Sequence, residues 1–178
     1  CAQACRLPYE LVVDGKARDL GPYAYLLSTE DLEASAVVPR LAELGVASLK
    51  IEGRLKGPDY VAAATRLYRA AVDDALGEAR PDLAALRRDT QLTYSRGAGP
   101  GFLAGVDHQR TVEGRPCEHR GLFLGDVRAT ATKRGKTLFE LRLEEPLARG
   151  DGLMIEGGLA SEGERGGRVW NLERGGVD

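Results

Sequence analysis

Cys1-Ala2-Gln3-Ala4-Cys5 sets two thiols on either side of three residues, with Arg6, Lys16 and Arg18 close behind as positive charge. Soft ligands at that spacing suit a metal ion or an iron-sulfur cluster, and they also suit free thiols or a redox pair. Two thiolates are half a site. The third cysteine, Cys117, and the two histidines, His108 and His119, lie more than a hundred residues downstream, unlike the second ligand pair of a structural zinc site. In Lys50-Ile51-Glu52-Gly53-Arg54, charged and apolar residues alternate at the end of an expected strand. Lys50, Glu52 and Arg54 then share one side, where they bind a substrate carboxylate or phosphate or close an internal ion-pair ladder. Lys133, Arg134 and Lys136 make a short basic turn that either meets RNA phosphate or is simply solvated. No serine or cysteine stands at a triad-like spacing from either histidine.

The elements that position these residues follow from pattern. Tyr23-Ala24-Tyr25-Leu26-Leu27 is a short apolar run that predicts a buried strand, with Ser28 and Asp31 as a capping box for a helix after it. Pro39 restarts a helix as its first residue and Gly45 stops it. Ala47-Ser48-Leu49-Lys50-Ile51 predicts a second strand. After Gly57-Pro58-Asp59, a helix carries Val61, Ala64, Tyr68, Ala71, Val72 and Ala75 as its buried stripe and ends at Gly77. A further helix spans 82–89. Strand, helix, strand, helix with short connections predicts parallel β/α packing, with ligands beyond the carboxyl ends of the strands, near Ser28, Thr29, Glu52 and Arg54. Five glycine or proline positions within 97–105 mark a linker. Beyond Cys117 the period becomes two, and strands expected at 122–130, 137–143, 153–156 and 168–173 predict a small antiparallel barrel. The organisation expected is therefore the last units of a (β/α) barrel over 1–95, a glycine-rich linker over 96–116 and an all-β domain over 117–178.

Composition narrows the function. With 25 basic against 27 acidic residues and a net charge of −2, no overall positive field gathers a polyanion, so nucleic-acid contact must be local. Apolar runs of a few residues are far short of the ~20 that cross a bilayer, which excludes a membrane span. Three cysteines cannot all pair with one another and no secretory leader opens the chain, so a reducing cytoplasm is the expected compartment. The start at Cys1 reads as a fragment.

The segments Cys1-Ala2-Gln3-Ala4-Cys5-Arg6-Leu7-Pro8-Tyr9, Tyr25-Leu26-Leu27-Ser28, Ser48-Leu49-Lys50-Ile51-Glu52-Gly53-Arg54, Ser95-Arg96-Gly97, His119-Arg120-Gly121 and Gly150-Asp151-Gly152 together resemble the C-terminal half of the collagenase-like U32 peptidase family. The resemblance is nearest to members with an added β-barrel that hydroxylate a cytidine of large-subunit ribosomal RNA. It implies a (β/α) barrel with a four-iron, four-sulfur cluster on four cysteines and prephenate as hydroxyl donor. Cys1 and Cys5 would be the later pair of ligands, the earlier pair lying upstream. It further implies RNA as the partner, ribosomal before transfer RNA; on that reading the residue patterns above place Lys50, Glu52 and Arg54 at an anionic co-substrate and the Lys133, Arg134 and Lys136 turn on RNA. The family name alone implies a peptidase instead, and a binding module without chemistry of its own is a third reading.

Overall fold

The computed structural model describes residues 3–105, 107–115, 118–133, 135–157 and 165–173. Cys1, Cys117 and Arg134, singled out above, lie outside the described residues, as does the His108 side chain. The chain divides into two compact units, Cys1–Leu122 and Phe123–Asp178.

The first unit opens on a 3-10 turn, Ala4–Arg6. An antiparallel hairpin of β1, Leu11–Val13, and β2, Lys16–Arg18, follows. Asp14 and Gly15 join them at φ 52° and 71°, the two positive-φ positions of a tight hairpin turn that an Asp-Gly pair favours. Next come β3, Asp31–Leu32, then α1, Val38–Glu43, α2, Pro58–Ala75, and α3, Leu83–Thr93. The chain then forms β4, Ala98–Gly99, and the single turn α4, His108–Thr111. β3 and β4 pair in parallel, Asp31 opposite Ala98 and Leu32 opposite Gly99, with the three helices between them in sequence. Gly97 and Gly99, expected in a linker, thus carry backbone carbonyls that accept from Asp31 N–H at 3.0 Å and Glu33 N–H at 2.8 Å.

Helix boundaries obey local chemistry. Pro58 stands in the first turn of α2, where its missing N–H costs nothing. Gly77 stops that helix at φ 75°, its N–H reaching Asp74 O at 3.0 Å. Asp82 caps α3 by accepting from Ala85 N–H at 3.0 Å. The buried face of α2 shares Ala64 and Ala71 with the expected stripe and departs from it at Val61 and Leu67. Ala63, Ala64, Leu67 and Ala71 form it with Val38 of α1, whereas Val61 is 44% exposed. In so alanine-rich a helix two adjacent arcs satisfy the same three-and-four spacing, and the one holding the largest aliphatic side chain turns inward.

The two expected strands of this region do not form. At 23–27 the backbone instead makes single bonds to four places: Tyr23 N–H to Leu20 O at 3.0 Å, Tyr9 N–H to Ala24 O at 2.7 Å, Tyr25 N–H to Gly114 O at 2.9 Å, and a turn from Ser28 N–H to Tyr25 O at 3.0 Å. At 47–51 no described strand runs alongside, so an apolar run there has no ladder to join. The capping box fails as well, because Asp31 is a strand residue and Ser28 Oγ accepts from Arg6 Nη1 at 2.8 Å.

Among the described residues the second unit forms two antiparallel strand pairs. β5, Gly125–Lys133, pairs with β6, Lys136–Leu143, and β7, Gly152–Ile155, with β8, Arg165–Arg168. Among the described residues each sheet has two strands, and neither they nor the mixed helices and strands of the first unit close a barrel. The last strand sits earlier than the expected 168–173, with Gly166 and Gly167 opposite Met154 and Leu153. Gly125 has φ +132°, and a Cβ there would lie 2.0 Å from Arg142 O, so only glycine lets the first hairpin close at that end.

Candidate functional site

A charged knot fastens the β3–β4 pairing to the flanking segments. Arg6 Nη1 donates to Ser28 Oγ at 2.8 Å and to Thr29 O at 2.7 Å. Asp31 takes the Arg96 guanidinium in a two-pronged ion pair and also accepts from Arg96 N–H at 3.2 Å. Glu33 Oε2 lies 2.9 Å from Arg87 Nε, while Arg87 Nη2 donates to the fully buried Ser35 Oγ at 3.1 Å. Between Ser28, Glu30, Arg96, Glu113, Arg115 and Arg120 there is a niche of about 10 Å³, room for a single water rather than a substrate.

Glu30 is the titratable group of that niche. Burial first, then the carboxylates of Glu113 and Asp31, push its pKa above the ordinary value of 4.5. Its carboxyl sits where side chains of neighbours would be: a Cβ at Gly99 would fall 2.9 Å from Glu30 Oε2, and one at Gly97 3.2 Å from Glu30 Cγ. Because the folded state holds this proton to higher pH than the unfolded chain does, folding stability must fall as pH rises from 4.5 through the raised value. Glu30→Gln should flatten that part of the stability-against-pH curve, measured by denaturant midpoints; an unchanged slope would show that Glu30 titrates as an ordinary surface carboxyl.

A second cluster adjoins the knot through Arg96, whose guanidinium carbon lies 5.7 Å from the centre of the Tyr94 ring. Lys56 Nζ stands 2.9 Å over the same ring, a close cation–π contact. Tyr60 meets Tyr94 edge-on at 6.0 Å, and His119 stacks on it at 5.5 Å and 19°. Lys56 also lines a shallow open groove of about 710 Å³ along α2, with Val61 and Ala62 as its apolar floor and Arg66 and Arg69 at its rim.

The residues singled out in the sequence are placed as follows. Lys50, Glu52 and Arg54 lie exposed in the irregular segment between α1 and α2. Glu52 Oε1 accepts from the Arg54 backbone N–H at 2.8 Å, which folds the segment on itself. Cys5 is a free, exposed thiol in the Ala4–Arg6 turn, a turn anchored by Arg6 and by Tyr9 Oη donating to Ala4 O at 2.8 Å. Lys133 and Lys136 face one another at the tip of the β5–β6 hairpin, both exposed, with Gly135 at φ 72° in its two-residue loop. No group of three or more His, Cys, Asp or Glu among the described residues is arranged to hold a metal ion. Glu30, the Asp31–Arg96 pair and the Tyr94 cluster were not visible as sites in the sequence, since partners 65 residues apart share no local pattern.

Residues 1–113 match the family model of peptidase family U32. The chain belongs to peptidase family U32. Among its U32 relatives, the 23S rRNA 5-hydroxycytidine C2501 synthase of Escherichia coli is 34% identical over 171 residues, 87% of this chain and 24% of that protein. A tRNA hydroxylation protein P of Escherichia coli is 35% identical over 134 residues, 74% of this chain and 29% of the relative. A collagenase of Porphyromonas gingivalis is 29% identical over 165 residues, 88% and 39% respectively. The U32 chain therefore spans about a quarter to two fifths of the length of these relatives. No solved structure matches it.

Proposed function

We propose that this U32 chain is part of an oxygen-independent RNA-base hydroxylase, of the type that makes 5-hydroxycytidine in large-subunit ribosomal RNA with prephenate as hydroxyl donor. The observation that carries the reading is that relatives named for RNA hydroxylation match this chain at higher identity than the collagenase does: 34% for the rRNA synthase and 35% for the tRNA hydroxylation protein, against 29%. The relatives named for tRNA hydroxylation support the same chemistry on another RNA. In this reading the first unit is the end of a (β/α) barrel, as the parallel β3–β4 pairing around three helices favours. Leu32, Leu44 and Leu55, more than half exposed here, are side chains that further barrel elements would cover. The second unit's hairpins would belong to the added β-barrel.

The implied iron-sulfur cluster does not fit this chain alone. Four thiolates are needed, and the described residues offer the single exposed Cys5; with Cys1 the chain would supply two. No step is assigned to the cluster. What the chain's own residues would do is hold an anionic co-substrate at Lys50 and Arg54. A charge-assisted contact to a carboxylate contributes roughly 1.5 to 3 kcal/mol, so Arg54→Gln should weaken prephenate use by about tenfold or more. Wild-type dependence on prephenate in that variant would reduce the segment to a structural one.

The basic hairpin tip makes a separate expectation. If Lys133 and Lys136 meet phosphates, replacing both by glutamine should reduce the slope of log affinity against log salt by roughly 0.7 to 0.9 per contact. An unaltered slope would leave the tip solvated. The reading as a whole is tested by incubating the whole protein anaerobically with ribosomal RNA and prephenate, then digesting the RNA to nucleosides. Cytidine heavier by one oxygen is the expected product. A peptidase, the reading favoured by the collagenase relatives, would instead cleave gelatin and leave the nucleosides unchanged.

A further inference from the structure

The Tyr94 cluster presents one aromatic ring outward in a fixed pose. His119 is exposed, yet three contacts set the position of its ring. One face stacks on the half-buried Tyr94, itself braced by Tyr60 at its edge and by Lys56. Nδ1 lies 3.0 Å from Ser95 N–H and 3.3 Å from Gly121 N–H. Ser95 O, 3.3 Å from the same nitrogen, already accepts from Arg120 N–H at 2.8 Å. Two donors converging on Nδ1 make it an acceptor, which assigns the ring proton to Nε2. A histidine serving only to tie Ser95 to Gly121 would need Nδ1 and nothing else. An exposed ring that is already ordered costs little entropy to use in binding.

We infer that the outer face of His119 is a stacking platform for an unpaired base of an RNA substrate, with Lys56 and Arg66 along the adjoining groove serving the strand's phosphates. This rests on the RNA reading above and adds to it a residue and a mode of contact. Unpaired bases stack on aromatic and imidazole rings without regard to sequence. The groove supplies what such a strand needs beside the ring, an apolar floor at Val61 and Ala62 with cations at its edge. On a chain of net charge −2, Lys56 and Arg66 give this groove a local positive charge.

Two substitutions separate the platform from a structural tie. In His119→Asn the amide oxygen hangs from the same carbon as Nδ1 and can accept from Ser95 and Gly121, but the ring is gone. In His119→Phe the ring stays and the acceptor is lost. Affinity of the whole protein for single-stranded cytidine-containing oligoribonucleotides is measured by fluorescence anisotropy, with melting temperature alongside. His119→Asn should melt like wild type and bind roughly five- to a hundredfold more weakly, the range expected for losing one stacked base. His119→Phe should melt lower and keep most of the affinity. One abasic position in the oligonucleotide should weaken wild type and leave His119→Asn unaffected, as two changes to one contact do. Wild-type binding in His119→Asn, with loss of binding in His119→Phe, would overturn the platform while leaving the RNA reading intact. Failure of the wild-type protein to bind any of the oligonucleotides would overturn both.

Discussion

Arg96→Ala should destabilise the first unit by about 1 to 3 kcal/mol, the cost of leaving a half-buried carboxylate without its charge-assisted partner. The side chains of Arg96 and Asp31 are only 11% and 23% exposed. Asp31 accepts from both the guanidinium and the Arg96 backbone N–H, so the pair aligns the two strands as well as neutralising charge. Without the guanidinium, the Asp31 carboxylate stays among Glu30 and Glu113 with less positive charge to offset it. For a domain of this size such a loss lowers the melting temperature by roughly 5 to 10 °C. The double change Asp31→Asn, Arg96→Met should recover part of it, because removing both charges also removes the desolvation penalty. A loss below about 1 kcal/mol in Arg96→Ala would mean that water screens the pair as it does an exposed one.

Leu67→Ala is expected to cost about 2 to 5 kcal/mol, since the side chain is 1% exposed and its removal leaves a void among alanines that have nothing to fill it with. Leu67→Met, which conserves volume, should cost less than about 1.5 kcal/mol. Val61→Ala gives the contrast. At 44% exposure it should change stability by well under about 1 kcal/mol. Chemical denaturation of the three variants would settle which arc of α2 faces inward; a larger loss at Val61 than at Leu67 would restore the stripe read from the sequence.

That contrast shows where sequence reasoning worked. Three helices were legible because their signals are local, Pro58 at the start and Gly77 at the end of α2, Pro39 and Gly45 around α1, and Pro81 ahead of α3, whereas the helix expected after Ser28 did not form and β3 stands there instead. The Asp14-Gly15 hairpin was equally local and went unread, although a two-residue Asp-Gly turn after Leu11–Val13 is a strong signal. Strands depended on something the apolar runs do not encode. A run such as 47–51 becomes a strand only beside a partner, and β3 and β4 found theirs in each other, 67 residues apart, with glycine making half of one strand. β8 likewise formed on Gly166 and Gly167, where side-chain patterning is silent and backbone pairing decides. The site followed the same division. Lys50, Glu52 and Arg54 stood out by alternation, whereas His119 on Tyr94 and Glu30 against Gly99 exist only once the chain has folded.

The proposed hydroxylation of an RNA base is tested most directly by the nucleoside composition of ribosomal and transfer RNA, by liquid chromatography and mass spectrometry, from cells with the gene intact, deleted and restored. 5-Hydroxycytidine should disappear from the large-subunit ribosomal RNA on deletion and return on restoration, with transfer RNA unaffected. Identical nucleosides in all three strains would contradict it.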